Sequence, residues 1–141
     1  MITFSIARAK MIPLLWVTAK PLIEVAVEHS NGELDIDLIY KKLIGEEMAL
    51  ITVTEDGNVL ACLTVEKRIY NSGKNVLNIT TAGGEGIHKW MGELSPLMDD
   101  MARKYDCTEI YIVGRPGWDR MIKDFGFQKI HTICSRKVGD K

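Results

Sequence analysis

The chain has 141 residues, of which 46% are hydrophobic and 26% charged, and a formal net charge of −1. That is enough for one domain, 1–141, with its own core, and too apolar for a disordered chain. Near-neutral charge excludes a global electrostatic pull toward nucleic acid or an anionic membrane, so neither is expected as a partner.

In chain order, Thr3 to Ala9 predicts a first strand. Arg8, Lys10 and the apolar Met11-Ile-Pro-Leu-Leu-Trp-Val17 have the flavour of a secretion signal. The run is short, however, contains Pro13 and lacks a small-residue cleavage site. Ile12 to about Ser30 predicts a helix through Leu15, Leu22, Val25 and Ala26, divided in two by Pro21 and ended by Asn31-Gly32. Asp35 then caps a short helix, Ile36 to Ile44, whose Leu38, Ile39, Leu43 and Ile44 share a face and which Gly45 terminates.

Period-two patterning follows. Met48 to Thr54 and Val59 to Tyr70 read as strands joined by Glu55-Asp56-Gly57-Asn58, a strong hairpin signal. Asn71-Ser72-Gly73-Lys74 turns the chain again, and Val76 to Thr81 supplies the third strand of an antiparallel meander. The segment Asn78-Ile-Thr-Thr-Ala-Gly-Gly-Glu-Gly-Ile-His-Lys-Trp-Met91 carries that β-branched run through Gly83, Gly84 and Gly86 into a helix. Such a turn offers backbone N–H groups at the positive end of a helix dipole, where phosphates bind. It is neither a P-loop nor the G-x-G-x-x-G dinucleotide fingerprint.

Ile87 to Tyr105 carries Ile87, Met91, Leu94, Met98, Met101 and Ala102 at helical spacing, a stripe read as core, with Ser95-Pro96 expected to kink or restart the helix. Thr108 to Val113 reads as a buried strand, broken by Gly114-Arg-Pro-Gly117. Asp119 to Phe125 forms a short helix ending at Gly126, and a last strand runs from about Phe127 to Val138. No apolar run approaches the roughly 20 residues that span a bilayer. Cys62, Cys107 and Cys134 are odd in number and far apart, which fits reduced thiols in a cytosolic setting. His29, His88 and His131 lie apart from the cysteines in sequence, so no metal site is expected.

Strand, two helices, three-strand meander, glycine turn, long helix, strand, short helix and strand make an α/β arrangement around one mixed sheet. This order, with a glycine turn between the fourth strand and the third helix, resembles the GNAT (Gcn5-related N-acetyltransferase) fold over nearly the whole chain. The resemblance implies a GNAT-like single domain whose central sheet is mixed and mostly antiparallel, flanked by helices. It also implies a turn whose amides hold the pyrophosphate of acetyl-CoA or CoA. Ile79, Thr80, Thr81, Gly83, Gly84, Glu85, Gly86, Ile87 and Lys89 are then the cofactor-binding candidates. Thr81 stands where the family usually has Gln or Arg, and Lys89 is placed to offset Glu85. Gly126-Phe127 is similar to the end of the family's Asn-x-x-Ala-x-x-x-Tyr-x-x-x-Gly-Phe motif, with Ile122 at the place of the tyrosine that protonates the departing thiolate.

The run Asp106 to Arg120, above all Gly114-Arg-Pro-Gly-Trp118, also looks like short GNAT-like proteins of tailed bacteriophages and prophages, some of them virion-associated. Catalytic candidates for taking a proton from an acceptor amine are Glu66 and His88. Arg115, through its guanidinium fork, and Trp118, through its indole, form a separate candidate surface for a ligand or partner. The leading expectation is acetyl-CoA-dependent N-acetyl transfer to an unknown amine in the cytoplasm of a bacterial host. The alternative is a noncatalytic phage protein that keeps the fold as a virion-associated or protein-binding module, with a phage or host protein as partner.

Overall fold

The computed structural model describes residues 1–114 and 118–139. Five strands form one sheet in the order β1 (Ile2–Ile6), β2 (Ala49–Glu55), β3 (Asn58–Ile69), β4 (Asn75–Gly84), β5 (Glu109–Ile112). The first three pairings are antiparallel and β4–β5 is parallel. Helices α1 (Ile12–Glu28) and α2 (Ile36–Ile44) cover one face, α3 (Ile87–Lys104) the other, and a short α4 (Trp118–Ile122) follows β5.

Alternation in the strands divides the core. Leu63, Val65, Leu77 and Ile79 pack with Trp90, Met91, Leu94 and Met98 of α3. Leu50 and Cys62 pack with Ile12, Ala19 and Ile23 of α1 and with Ile39 and Leu43 of α2. The Asp-Gly hairpin forms as expected, with both Asp56 (φ 52°) and Gly57 (φ 86°) left-handed, the conformation whose twist matches the flanking strands. Asp35 caps α2 by accepting from the amides of Asp37 and Leu38 at 2.8 and 3.2 Å.

Four expectations are corrected. Pro21 does not divide α1, and Pro96 neither ends nor restarts α3. Both prolines are exposed, as are Val17 and Gly92 one turn earlier, so the carbonyls they leave unbonded lie on solvent-facing sides of their helices. An internal proline costs about 3 kcal/mol, whereas each large side chain buried along α3 returns roughly 1.5–3 kcal/mol. The burial of Trp90, Met91, Leu94, Met98 and Met101 therefore wins.

The third correction concerns the glycines. Gly83 and Gly84 belong to β4, paired with Cys62 and Ala61, and Gly86 alone makes the turn into α3. A Cβ on Gly83 would fall on the Leu22 carbonyl oxygen of α1, so glycine is required there by the close approach of a helix backbone to a strand. The fourth is the last strand: residues 127–139 form none, and Ile130, Ile133 and Val138 are exposed. β5 has only four residues, too short a ladder to hold a strand bearing Lys129, His131, Arg136 and Lys137 against the entropy of ordering it.

Two substitutions separate these effects in urea denaturation. Asp35→Ala should cost about 1 kcal/mol through loss of the cap. Gly83→Ala should cost more, about 2–3 kcal/mol, because the helix must move off the strand. Equal and small losses would contradict the α1–β4 contact.

Candidate functional site

The site begins where β4 outruns β5. The parallel ladder covers Val76 to Ile79, opposite Glu109 to Ile112, whereas β4 continues to Gly84 paired with β3 alone. From Thr80 to Gly84 the β5-facing edge of the strand is therefore not claimed by β5. A bulge marks the point of departure: Val65 faces Ile79 and Thr64 faces Thr81, leaving Thr80 as the extra residue.

At the far end of this edge stands the N-terminus of α3. Gly86 is left-handed (φ 73°), no side chain caps the helix, and its first turn holds no acidic residue. Among the described residues, no other backbone group accepts from the amides of Gly86, Ile87 or His88, while Lys89 N–H donates to the Gly86 carbonyl at 2.7 Å. Glu85 contributes no free amide: its N–H donates to Leu60 O at 3.0 Å and its carbonyl accepts from Trp90 Nε1 at 2.8 Å. The Lys89 stem folds back over Gly86, and its ammonium lies 3.7 Å from Glu55, mostly in solvent. The lysine stem thus lies at the helix start, while the carboxylate its ammonium approaches is that of Glu55.

At the bulge end lies a polar cluster on the α1–α2 face. Glu66, only 11% exposed, accepts from Thr80 Oγ1 at 3.1 Å and Arg68 at 3.4 Å on Oε1, and from Lys42 Nζ at 3.2 Å on Oε2. Asn78 Nδ2 donates to Thr80 Oγ1 at 3.0 Å, and Asn78 Oδ1 is buried without a partner among the described residues. Beside the cluster is a cavity of about 170 Å³ between α2 and the sheet, with apolar walls from Leu34, Leu38, Ile39 and Met48.

The candidates named from the sequence thus separate. Glu66 and Thr80 are brought together. His88 is exposed on α3, and the run from Asn78, opposite Glu66, to Gly84 puts it on the order of 20 Å away at about 3.3 Å per residue. Ile79 is a core side chain with its backbone at the edge, and Ile87 packs against the same core. Thr81, which the resemblance sets at the place of a basic residue, is buried with its hydroxyl 2.6 Å from that of Thr64. Ile122, at the place of the tyrosine, is 4% exposed within the α3-side core. Trp118 packs against that core and fills the space left by Gly114, whose Cβ would fall on the indole. Arg115 lies outside the described residues.

Lys42 and Arg68 were not singled out from the sequence. The Lys42 link to Glu66 crosses from α2 to the sheet and no local pattern encodes it, whereas Arg68 lies two residues from Glu66 along β3, an i, i+2 spacing on one face that could have found it. Tyr111 is a phenol within the parallel ladder, opposite Asn78, and its hydroxyl is held by Lys74 Nζ at 3.1 Å, the lysine that precedes β4. Hydrogen bonds to Tyr111 and Glu109 raise the Lys74 pKa above its ordinary value.

No protein-family model matches the chain, and no curated protein matches it in sequence. Solved structures do match in shape. A probable acetyltransferase superposes with a TM-score of 0.69 at 14% identity, over 99% of both chains. A predicted acetyltransferase with acetyl-CoA, from Clostridium acetobutylicum, gives 0.64 at 17%, over 97% of this chain and 96% of the other. A ribosomal-protein-alanine N-acetyltransferase from Brucella melitensis biovar Abortus 2308 gives 0.63 at 11%, over the whole of both. The chain has the GNAT fold. At these identities the likeness extends to architecture, and the residues of the site must carry any further argument.

The cysteines supply a check on this packing. Burial pushes Cys62 up from 9.0 to about 11, and burial raises Cys107 too, opposed by Lys67 and reinforced by Asp106. In native protein at pH 8, a thiol reagent should modify exposed Cys134 rapidly and leave Cys62 and Cys107 protected. Because folded Cys62 holds its proton to about pH 11 while the unfolded thiol releases it near 9, stability should fall as pH rises through that window. Urea midpoints measured across it should decline less steeply in Cys62→Ala.

Proposed function

We propose that this protein is an acetyl-CoA-dependent N-acetyltransferase acting on an amine. The observation that carries the reading is the stretch Thr80–Gly84, released from β5 and leading from the Glu66 cluster to the uncapped start of α3. The residues present fit a pyrophosphate-bearing thioester: a left-handed glycine, unclaimed amides of Gly86, Ile87 and His88, and a lysine folded back over them form an anion cradle. An extended acyl arm is accommodated by the free edge of β4 as an added strand would be, through Thr80, Thr81, Ala82 and Gly83 backbone groups. The group supplies an acetyl thioester as donor.

This chain's own part is positioning and proton transfer. Glu66 takes the proton from the acceptor amine at its carboxylate, Thr80 holds Oε1 in place, and Asn78 orients the Thr80 hydroxyl. The 170 Å³ cavity admits a small amine-bearing group with apolar atoms against Leu38 and Met48.

Ile122 favours a second reading. With a buried aliphatic side chain at the place of the family's phenol, the fold is retained without that acid, as expected of a noncatalytic phage or prophage protein that binds a partner or sits in the virion. On the first reading the protein works in the cytoplasm of a bacterial host.

Calorimetric titration with CoA and acetyl-CoA, followed by thiol release in the presence of amines, distinguishes the two. Gly86→Asp is the suitable variant, because a Cβ at position 86 would meet only the flexible Lys89 side chain, at 3.5–3.9 Å, and aspartate is among the residues that enter the left-handed backbone at a modest cost and suit a helix start. It should abolish CoA binding with little loss of stability. Glu66→Gln should retain binding and lower kcat by about 10²-fold. No binding at millimolar CoA, with the protein found in assembled particles, would instead establish the second reading.

A further inference from the structure

Glu66 already holds an amine that belongs to the chain itself. Lys42, near the end of α2, places Nζ 3.2 Å from Oε2, while Thr80, the bulge residue at which β4 leaves β5, sits on Oε1. One carboxylate therefore joins a lysine amine to the start of the edge on which the acyl arm would lie. Lys42 and Thr80 also line the same cavity. An external amine reaching Glu66 would have to occupy the position that Lys42 fills.

We propose that Lys42 is an internal acceptor, acetylated on Nζ by its own chain with Glu66 as base; the inference rests on the acetyl-transfer reading above. In the step, Oε2 of Glu66 takes one proton from the Lys42 ammonium, and the freed lone pair forms the N–C bond to the acetyl carbonyl carbon. The C–S bond of the acetyl thioester breaks, and its electron pair stays on sulfur. The departing sulfur takes the second proton shed by the nitrogen, giving a free thiol and a neutral amide. Glu66 returns its proton to solvent. The product carries no charge, so the ion pair to Glu66 is lost and the carboxylate keeps only Arg68 and Thr80. The acetylated chain is then the form in which Glu66 is open to an external amine.

The test is a time course of the full chain with acetyl-CoA, read by peptide mass spectrometry. Lys42 should gain one acetyl group on the order of tenfold or more faster than Lys20, Lys74 or Lys89, although their side chains are 46%, 38% and 61% exposed against 32% for Lys42. The rate should be independent of protein concentration, and Glu66→Gln should bring Lys42 down to the rate of the exposed lysines. A readout without cofactor accompanies it: in isotopically labelled, reductively methylated protein, the Lys42 methyl resonance should move in Glu66→Gln. Modification that simply tracks exposure, a Lys42 rate unchanged in Glu66→Gln, or an unmoved resonance would each overturn the inference. If CoA binds and external amines are acetylated while Lys42 stays unmodified, the inference fails and the acetyltransferase reading stands. If CoA does not bind, both fall.

Discussion

The contact between the backbone of α1 and Gly83 is the constraint on which the site depends. The Leu22 carbonyl takes the space that any side chain at position 83 would need, so α1 rests on the last residues of β4 with no side-chain layer between. Helix α2 packs with α1 in one apolar cluster through Ile39 and Leu43, and its last turn thereby comes over the sheet with Lys42 facing Glu66. Gly84 continues the same requirement, since a Cβ there would meet the Leu60 carbonyl and Ala61 on the neighbouring strand. Two glycines, by carrying no side chain, thus set the height of the roof above the released edge.

The two faces of the sheet do different work. The α3 side is a dry core of leucine, methionine, tryptophan and valine, and it holds β4 in register. The α1–α2 side carries Thr64, Thr81, Asn78, Thr80 and Glu66 along the strands that the core secures. A buried polar group left unmade costs about 1–3 kcal/mol, so the threonines are paired and Glu66 has three donors. Asn78 Oδ1 is the exception among the described residues. A polar network of this kind is a poor way to stabilise a sheet and a good way to hold a carboxylate in one orientation.

Much of the fold could be read locally because it depends on local physics. The left-handed Asp-Gly turn, the Asp35 cap and the stripe on α3 each follow from a few neighbouring residues. The prolines misled because their cost was set against burial that only the packed helices reveal. Gly83 and Gly84 misled more instructively: three glycines in four positions look like one flexible turn, yet Gly83 is small because of a helix some sixty residues earlier and Gly84 because of the neighbouring strand. The strand expected from about Phe127 to Val138 met no long strand on which to pair.

For the site, residue type and order singled out the glycine-to-helix junction, and the resemblance to the GNAT family added Glu66 as a candidate base and the absence of a basic residue at Thr81 and of a phenol at Ile122. These are properties of single positions in a linear motif. Tertiary structure alone joined Glu66 to Lys42 and Thr80, removed His88 to the far end of β4, and buried the Thr81 hydroxyl against Thr64. The reason is physical: a carboxylate's surroundings are set by which strands and helices lie over it, and that layering is decided by long-range packing such as the seat of α1 on Gly83.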